Sequence, residues 1–169
     1  MDRHEYTYNE TGPEIHEDAA VSAESTVAGD VTIGADVTVW PGAVLRGDVE
    51  PMRVGEGSAV GDNAVLHGTT IESGVLIGHA AVLNDSHVGE ETMIGFNATV
   101  TGSTIGRRSL VAMGATVPED YEVPPESFVR GTPARVTPLS EMDIDREAVF
   151  EQYTSGEYGE LVDRYEGLF

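Results

Sequence analysis

Aliphatic residues recur along this chain with a short, nearly constant step. Val60, Leu66, Ile71, Ile77, Leu83, Val88, Ile94, Val100, Ile105, Val111 and Val117 lie six, five, six, six, five, six, six, five, six and six residues apart, so every third step closes a cycle of 17. Upstream, Ile15, Val21, Val27, Ile33, Val39 and Leu45 are each six apart. A unit this short cannot bury its own aliphatic residue. It does so only by stacking on copies of itself, which is the signature of a solenoid. Three steps per cycle predict a three-sided coil with one short strand per side. Residues one cycle apart then lie over one another at about 4.8 Å, the spacing of paired strands. The predicted class is an all-β solenoid of parallel strands over residues 15–130. No proline falls between Val54 and Val117, as a continuous ladder requires, because proline has no N–H to donate.

The flanks read differently. Residues 1–14 are polar and aperiodic, and are expected to form an N-terminal arm. Pro124, Pro125, Pro133 and Pro138 mark the exit from the coils, and residues 131–169 read as a connector followed by a helix. Ser140 with Asp143 three residues on is a capping-type start. Met142, Ala148, Val149 and Tyr153 give a helical stripe. Gly156 and Gly159 are expected to interrupt it before Leu161, Val162, Tyr165, Leu168 and Phe169. Such a helix would cap the coils or pack on a neighbouring copy, with Tyr153, Tyr158 and Tyr165 serving as packing groups.

Stacking also sorts the polar residues into columns. Leu66, Leu83 and Val100 are equivalent, so His67, Asn84 and Thr101 share one column. Val60, Ile77 and Ile94 are equivalent, so Asp62, His79 and Phe96 share another. If about three residues around Pro51–Arg53 loop out, Leu45 falls beneath Leu66, and Arg46 lies beneath His67. One edge of the prism then carries Arg46, His67 and Asn84. His87 lies three residues beyond Asn84, about 10 Å along an extended backbone, which is far for a shared site. His4 and His16 are expected to be structural or solvent-facing.

Composition narrows the function classes. The formal net charge is −21, with thirty acids against nine basic residues, all of them arginine. Such a surface repels nucleic acid and anionic membrane, so neither is expected as a partner. Excess acid without lysine points to a halophilic protein from a salt-rich cytosol, where screening relieves self-repulsion. There is no cysteine, which excludes disulfides and thiolate metal sites. The opening residues lack the apolar core of a signal peptide, and no run is long enough to cross a membrane. A cytoplasmic location is the expectation.

Several stretches resemble the γ-class carbonic anhydrase family: the run from Pro13 to Gly55, then AVLHG, IGHAAVLND, STIGRRSLVAMGATV and VRGTPARVTPLS. The resemblance covers about residues 13–140. It implies a left-handed β-helix of hexapeptide repeats and a homotrimer. It also implies zinc, iron or cobalt held between subunits by three histidines, and hydration of carbon dioxide to bicarbonate by a metal-bound hydroxide. On this resemblance His67 and His79 are metal ligands, with His79 reaching into the neighbour's site. The third ligand position holds Asn84 in place of histidine. Arg46 and Asp48 match the family's RGD and are expected to organise the site and the subunit contact. Asp62 matches the acid of its Gln-Asp pair, while Gly61 stands where the glutamine would be. The segment between the first two histidines is about five residues shorter than is common.

These substitutions bear on the chemistry. Zinc catalysis uses three protein ligands and one open position, and the ion must bring its water's pKa near 7. An amide oxygen holds a borderline metal less well than imidazole. A set of His67, His79 and Asn84 therefore predicts a weakened metal site and impaired turnover. Two other functions fit the pattern. One is a metal-free trimeric scaffold, suggested by Asn84 and Gly61. The other is an acyltransferase or thioesterase acting on a coenzyme A thioester, with His79 as general base. Few clustered arginines are evident in the sequence to hold the coenzyme's phosphates.

Overall fold

A computed structural model describes residues 4–145, 147–149 and 156–169. The chain winds as a parallel β-helix of about seven coils. Two of its three faces belong to one 12-stranded sheet, and the third is an eight-stranded sheet. The hexapeptide step accounts for the build. Each aliphatic residue points inward and is fully shielded: Val21, Val27, Leu45, Val60, Leu66, Ile77, Leu83, Val100 and Val117 are all 0–1 % exposed. The 17-residue register is strict. Leu66 pairs with Leu83 and Leu83 with Val100 on one face. Val60 pairs with Ile77 and Ile77 with Ile94 on the next.

Corners turn through left-handed residues that stack above one another, among them Asn63, Ala80 and Asn97 at φ 57, 56 and 56°. The ladder bonds hold them in place, as when the Ala80 N–H donates to the Asp62 carbonyl at 2.9 Å.

The extra residues before His67 are not where the sequence placed them. Strands Thr26–Ile33 and Val44–Val54 both run round a corner and pair along their lengths, with Gly29 opposite Gly47 and Val31 opposite Met52. Asp30 alone therefore faces Asp48, Val49, Glu50 and Pro51. These four form the excursion, with Val49 75 % exposed, while Met52 is fully buried in the core. Arg53, expected to loop out, is in register with Thr32 below and Thr70 above. The chains approach so closely beside the excursion that a Cβ on Gly47 would sit 2.0 Å from the Asp30 carbonyl oxygen. Glycine is obligatory there.

Both ends of the coil stack are covered. His4–Tyr6 runs parallel to Thr26–Ala28, so this part of the N-terminal arm is a strand. At the far end Arg135–Pro138 folds back antiparallel on Ser127–Arg130. Beyond it, Leu139–Glu141 makes one 3-10 turn in which Ser140 makes no capping bond. The helical residues 147–149 are capped instead by Asp145, whose carboxylate accepts from the Ala148 N–H at 3.1 Å. Residues 150–155, where a break before Gly156 is expected, lie outside the described residues, and Gly159 does not break the helix that follows, Gly156–Val162. The chain's end returns to an early coil, where Trp40, only 6 % exposed, is met edge-on by Tyr158, Tyr165 and Phe169 at 5.7, 5.8 and 5.3 Å between ring centroids. Perpendicular ring packing of this kind adds to the burial of each aromatic surface. Tyr153 lies outside the described residues.

Candidate active site

Strands Val44–Val54, Val65–His67 and Val82–Asn84 lie side by side, with Arg46 in register with His67 and His67 with Asn84. This is the edge expected from spacing. The excursion adds what spacing could not: it lifts Asp48 onto the same edge. Arg46 donates to Asp48 Oδ2 from Nη2 at 2.5 Å and from Nε at 3.1 Å. Asp48 Oδ1 lies 2.8 Å from His67 Nε2. The Arg46 guanidinium, opposed in part by burial and aided by His67, lowers the Asp48 carboxyl to about 2.

That ionisation fixes one end of the histidine. An ionised carboxylate only accepts hydrogen bonds, so His67 Nε2 carries a proton and donates it to Asp48. Nδ1 is thereby turned to Asn84, with Nδ1 3.0 Å from Oδ1. In the neutral ring the Nδ1 lone pair and the Oδ1 lone pairs converge. Three arrangements relieve this: a second ring proton, a turned amide whose NH2 donates, or a cation shared by both atoms. Histidine tautomers and amide orientations are assigned from such networks. The edge is thus a relay of four groups, Arg46–Asp48–His67–Asn84, with its open end at Asn84.

A second histidine–carboxylate unit stands at the neighbouring corner. His79 Nδ1 lies 2.9 Å from Asp62 Oδ2 and 3.0 Å from the Asp62 backbone N. Its other face is covered by Phe96, stacked at 4.8 Å and 26°. Nε2 has no partner among the described residues, and the side chain is 42 % exposed. The ring is held on one edge and one face while one nitrogen stays available. The sequence columns put Phe96 above His79, but nothing in the sequence marks that position as a ring stack.

Within one chain the two histidines are not brought together, and among the described residues no three His, Asp or Glu side chains converge on a metal-sized point. His87 stays out of the relay. It lies on the next face with Nε2 2.8 Å from Glu72 Oε1, beside a shallow corner cleft of about 270 Å³ bounded by Gly68, Asp85 and Gly102. His16, also exposed, lies 3.5 Å from Asp18.

Two repeat families match the coils. Residues 12–47 fit the bacterial transferase hexapeptide, and residues 51–83 and 87–118 fit the hexapeptide repeat of succinyl-transferase. The chain is 33 % identical over 69 residues to gamma carbonic anhydrase 1 of Arabidopsis thaliana, covering 40 % of this chain and 25 % of that one. The chain is a hexapeptide-repeat protein, similar in part to γ-class carbonic anhydrases. An uncharacterised Bacillus subtilis transferase, YtoA, is 36 % identical over 62 residues, or 37 % of this chain and 36 % of that one. The crystal structure of a hexapeptide transferase family protein from Anaplasma phagocytophilum superposes with a TM-score of 0.87 at 27 % identity, over 96 % of this chain and 98 % of that one. Against these two curated relatives the match spans a quarter to about a third of their length.

As a hexapeptide-repeat protein with a left-handed β-helix, the chain presents both histidines at corners. Each has one nitrogen on a carboxylate. No helix among the described residues is long and apolar enough to cross a membrane.

Proposed function

We propose that this chain is a metal-dependent, γ-class carbonic-anhydrase-like enzyme that hydrates carbon dioxide reversibly to bicarbonate, working as a homotrimer with a weakened metal shell. One observation carries the proposal: both histidines are organised as carboxylate–histidine units. In metal sites the second ring nitrogen of a ligand histidine is commonly held this way, which fixes its tautomer and raises its basicity. Asp48 does this for His67; at His79 the Asp62 carboxylate lies against Nδ1, which also accepts from the Asp62 backbone N–H, and Phe96 holds the ring's plane.

His67 and Asn84 of one subunit, with His79 of a neighbouring copy, would hold zinc, iron or cobalt. Two imidazoles and an amide oxygen fit a borderline divalent ion, more weakly than three imidazoles. Such an ion supplies an activated water near neutral pH. The chain's own residues do the positioning. Arg46 holds Asp48, Asp48 holds the His67 proton, and the half-exposed Arg46 keeps donors for the bicarbonate anion.

The test is elemental analysis of protein purified in high salt without chelator, followed by stopped-flow hydration of carbon dioxide. Near-stoichiometric metal that is lost in His67→Ala and His79→Ala is expected. Metal near zero that dialysis does not restore would instead favour the metal-free scaffold. A coenzyme A thioester reaction has support in the transferase relatives, and calorimetry with acetyl-coenzyme A in high salt separates it.

A further inference from the structure

The VRGTPARV stretch has no part in the site above, yet it forms a distinctive surface. Ser127–Arg130 and Arg135–Pro138 pair antiparallel, with Arg130 directly opposite Arg135 and Phe128 directly opposite Thr137. Alternation along a strand puts these four on one face, because the intervening Val129 is fully buried and Val136 packs on the core. Directly opposed residues have their Cβ atoms about 5 Å apart, and like charges placed so are destabilising. Both arginines are exposed, and among the described residues neither makes an ion pair. Among the described residues Arg46 pairs with Asp48 and Arg108 with Glu91 and Glu147, while Arg53 bonds the Thr32 hydroxyl. With thirty acids available, two arginines set directly opposite each other with no acid between them are a marked local concentration of positive charge.

We propose that Arg130 and Arg135 form a binding site for the phosphate group of a small diphosphate ligand. Guanidinium is a planar fork that grips phosphate through two parallel N–H···O bonds. Two forks on neighbouring strands can each take one such edge. The hairpin is braced for the role: at its tip Thr132 Oγ1 donates to the Gly114 carbonyl at 3.3 Å and lies 3.2 Å from Thr116 Oγ1. Phe128, half-buried on the same face, offers an apolar wall to whatever carries the phosphates. The long-range field of the acidic surface opposes anions. The site therefore works through short, paired contacts, which survive in salt that screens the field.

The proposal is independent of the metal site. Isothermal titration in molar KCl, with inorganic pyrophosphate and ADP as probes, tests it. Saturable pyrophosphate binding is expected, weakened about tenfold in R130Q and in R135Q, since a hydrogen bond to a charged group is worth about that factor. Arg107→Gln, which removes an exposed arginine on another corner, should leave binding unchanged, as should His67→Ala. Stronger binding of ADP that falls in Phe128→Ala identifies a nucleoside diphosphate. Equal binding of the two probes, indifferent to Phe128, identifies a bare diphosphate. Absence of binding at millimolar probe overturns the proposal, as does equal loss in Arg107→Gln.

Discussion

Gly61 stands where the resemblance to γ-class carbonic anhydrases implies a glutamine, and the structure shows why a side chain would not fit. A Cβ added there would lie 2.8 Å from His79 Nδ1, 2.9 Å from the His79 backbone N and 2.9 Å from the Ile77 carbonyl oxygen. Ordinary heavy-atom contacts fall at about 3.5–4.0 Å, so all three overlap by more than half an ångström. Two of the three atoms belong to backbone, and the Gly61 N–H donates to that same Ile77 oxygen at 2.9 Å. The imidazole is the part that can yield. Gly61→Ala should therefore swing His79 off Asp62 and also push the ladder beside it apart, since turning the ring relieves only one of the three contacts. Overpacking of this kind costs about 1–3 kcal/mol. A stiffer unfolded chain returns about 0.4–1 kcal/mol, so the midpoints of the two ranges leave a net loss of about 1.3 kcal/mol. Urea denaturation in molar KCl measures the loss, and the NMR ring signals of His79 report its position. Gly57→Ala is the control. Nothing lies within 4 Å of its added Cβ, but φ is +67°, so it pays only a backbone cost and should leave His79 undisturbed. A Gly61→Ala protein of unchanged stability with His79 still on Asp62 would refute the reasoning. The absent glutamine and the placement of His79 would then be unconnected.

The other expectations concern the core, the relay and the surface. Leu83 is fully buried between Leu66 and Val100, so Leu83→Ala should cost about 3–5 kcal/mol by denaturant titration. Asp48 titrates at about 2 in the fold against an ordinary 3.8. Its stabilising effect is therefore complete above about pH 4 and is lost as pH falls through 2, and Asp48→Asn should flatten that part of the stability–pH curve. Asn84→His places imidazole beside His67 and should raise zinc retention at least tenfold in competition with a chelator. At a net charge of −21, the melting temperature should rise from dilute buffer to molar KCl; an unchanged value removes the case for a halophilic protein.

The columns were legible because parallel stacking leaves register no freedom. Once Leu66, Leu83 and Val100 are aligned, His67 must lie under Asn84. The excursion was not. Proline drew it towards Pro51–Arg53, but burying Met52 contributes more than looping it out, which forces the irregularity back onto Asp48–Pro51. That displacement of a few residues carries Asp48 to His67, so the relay was only half visible. Near the C-terminus, Gly156 and Gly159 read as breakers by propensity. There Tyr158, Tyr165 and Phe169 gather on Trp40, and tertiary packing outweighs the roughly 1 kcal/mol that Gly159 costs inside the helix.

The antiparallel hairpin at Ser127–Pro138 has a consequence for how this protein behaves in a crowd. A stack of parallel strands exposes, at its last coil, a row of amides and carbonyls ready to accept another strand of the same kind. Repeated from molecule to molecule, that is the geometry of a growing fibre. On this face the final strand runs the wrong way for the next coil to continue the pattern. On this face the next parallel coil is thereby refused by strand direction alone.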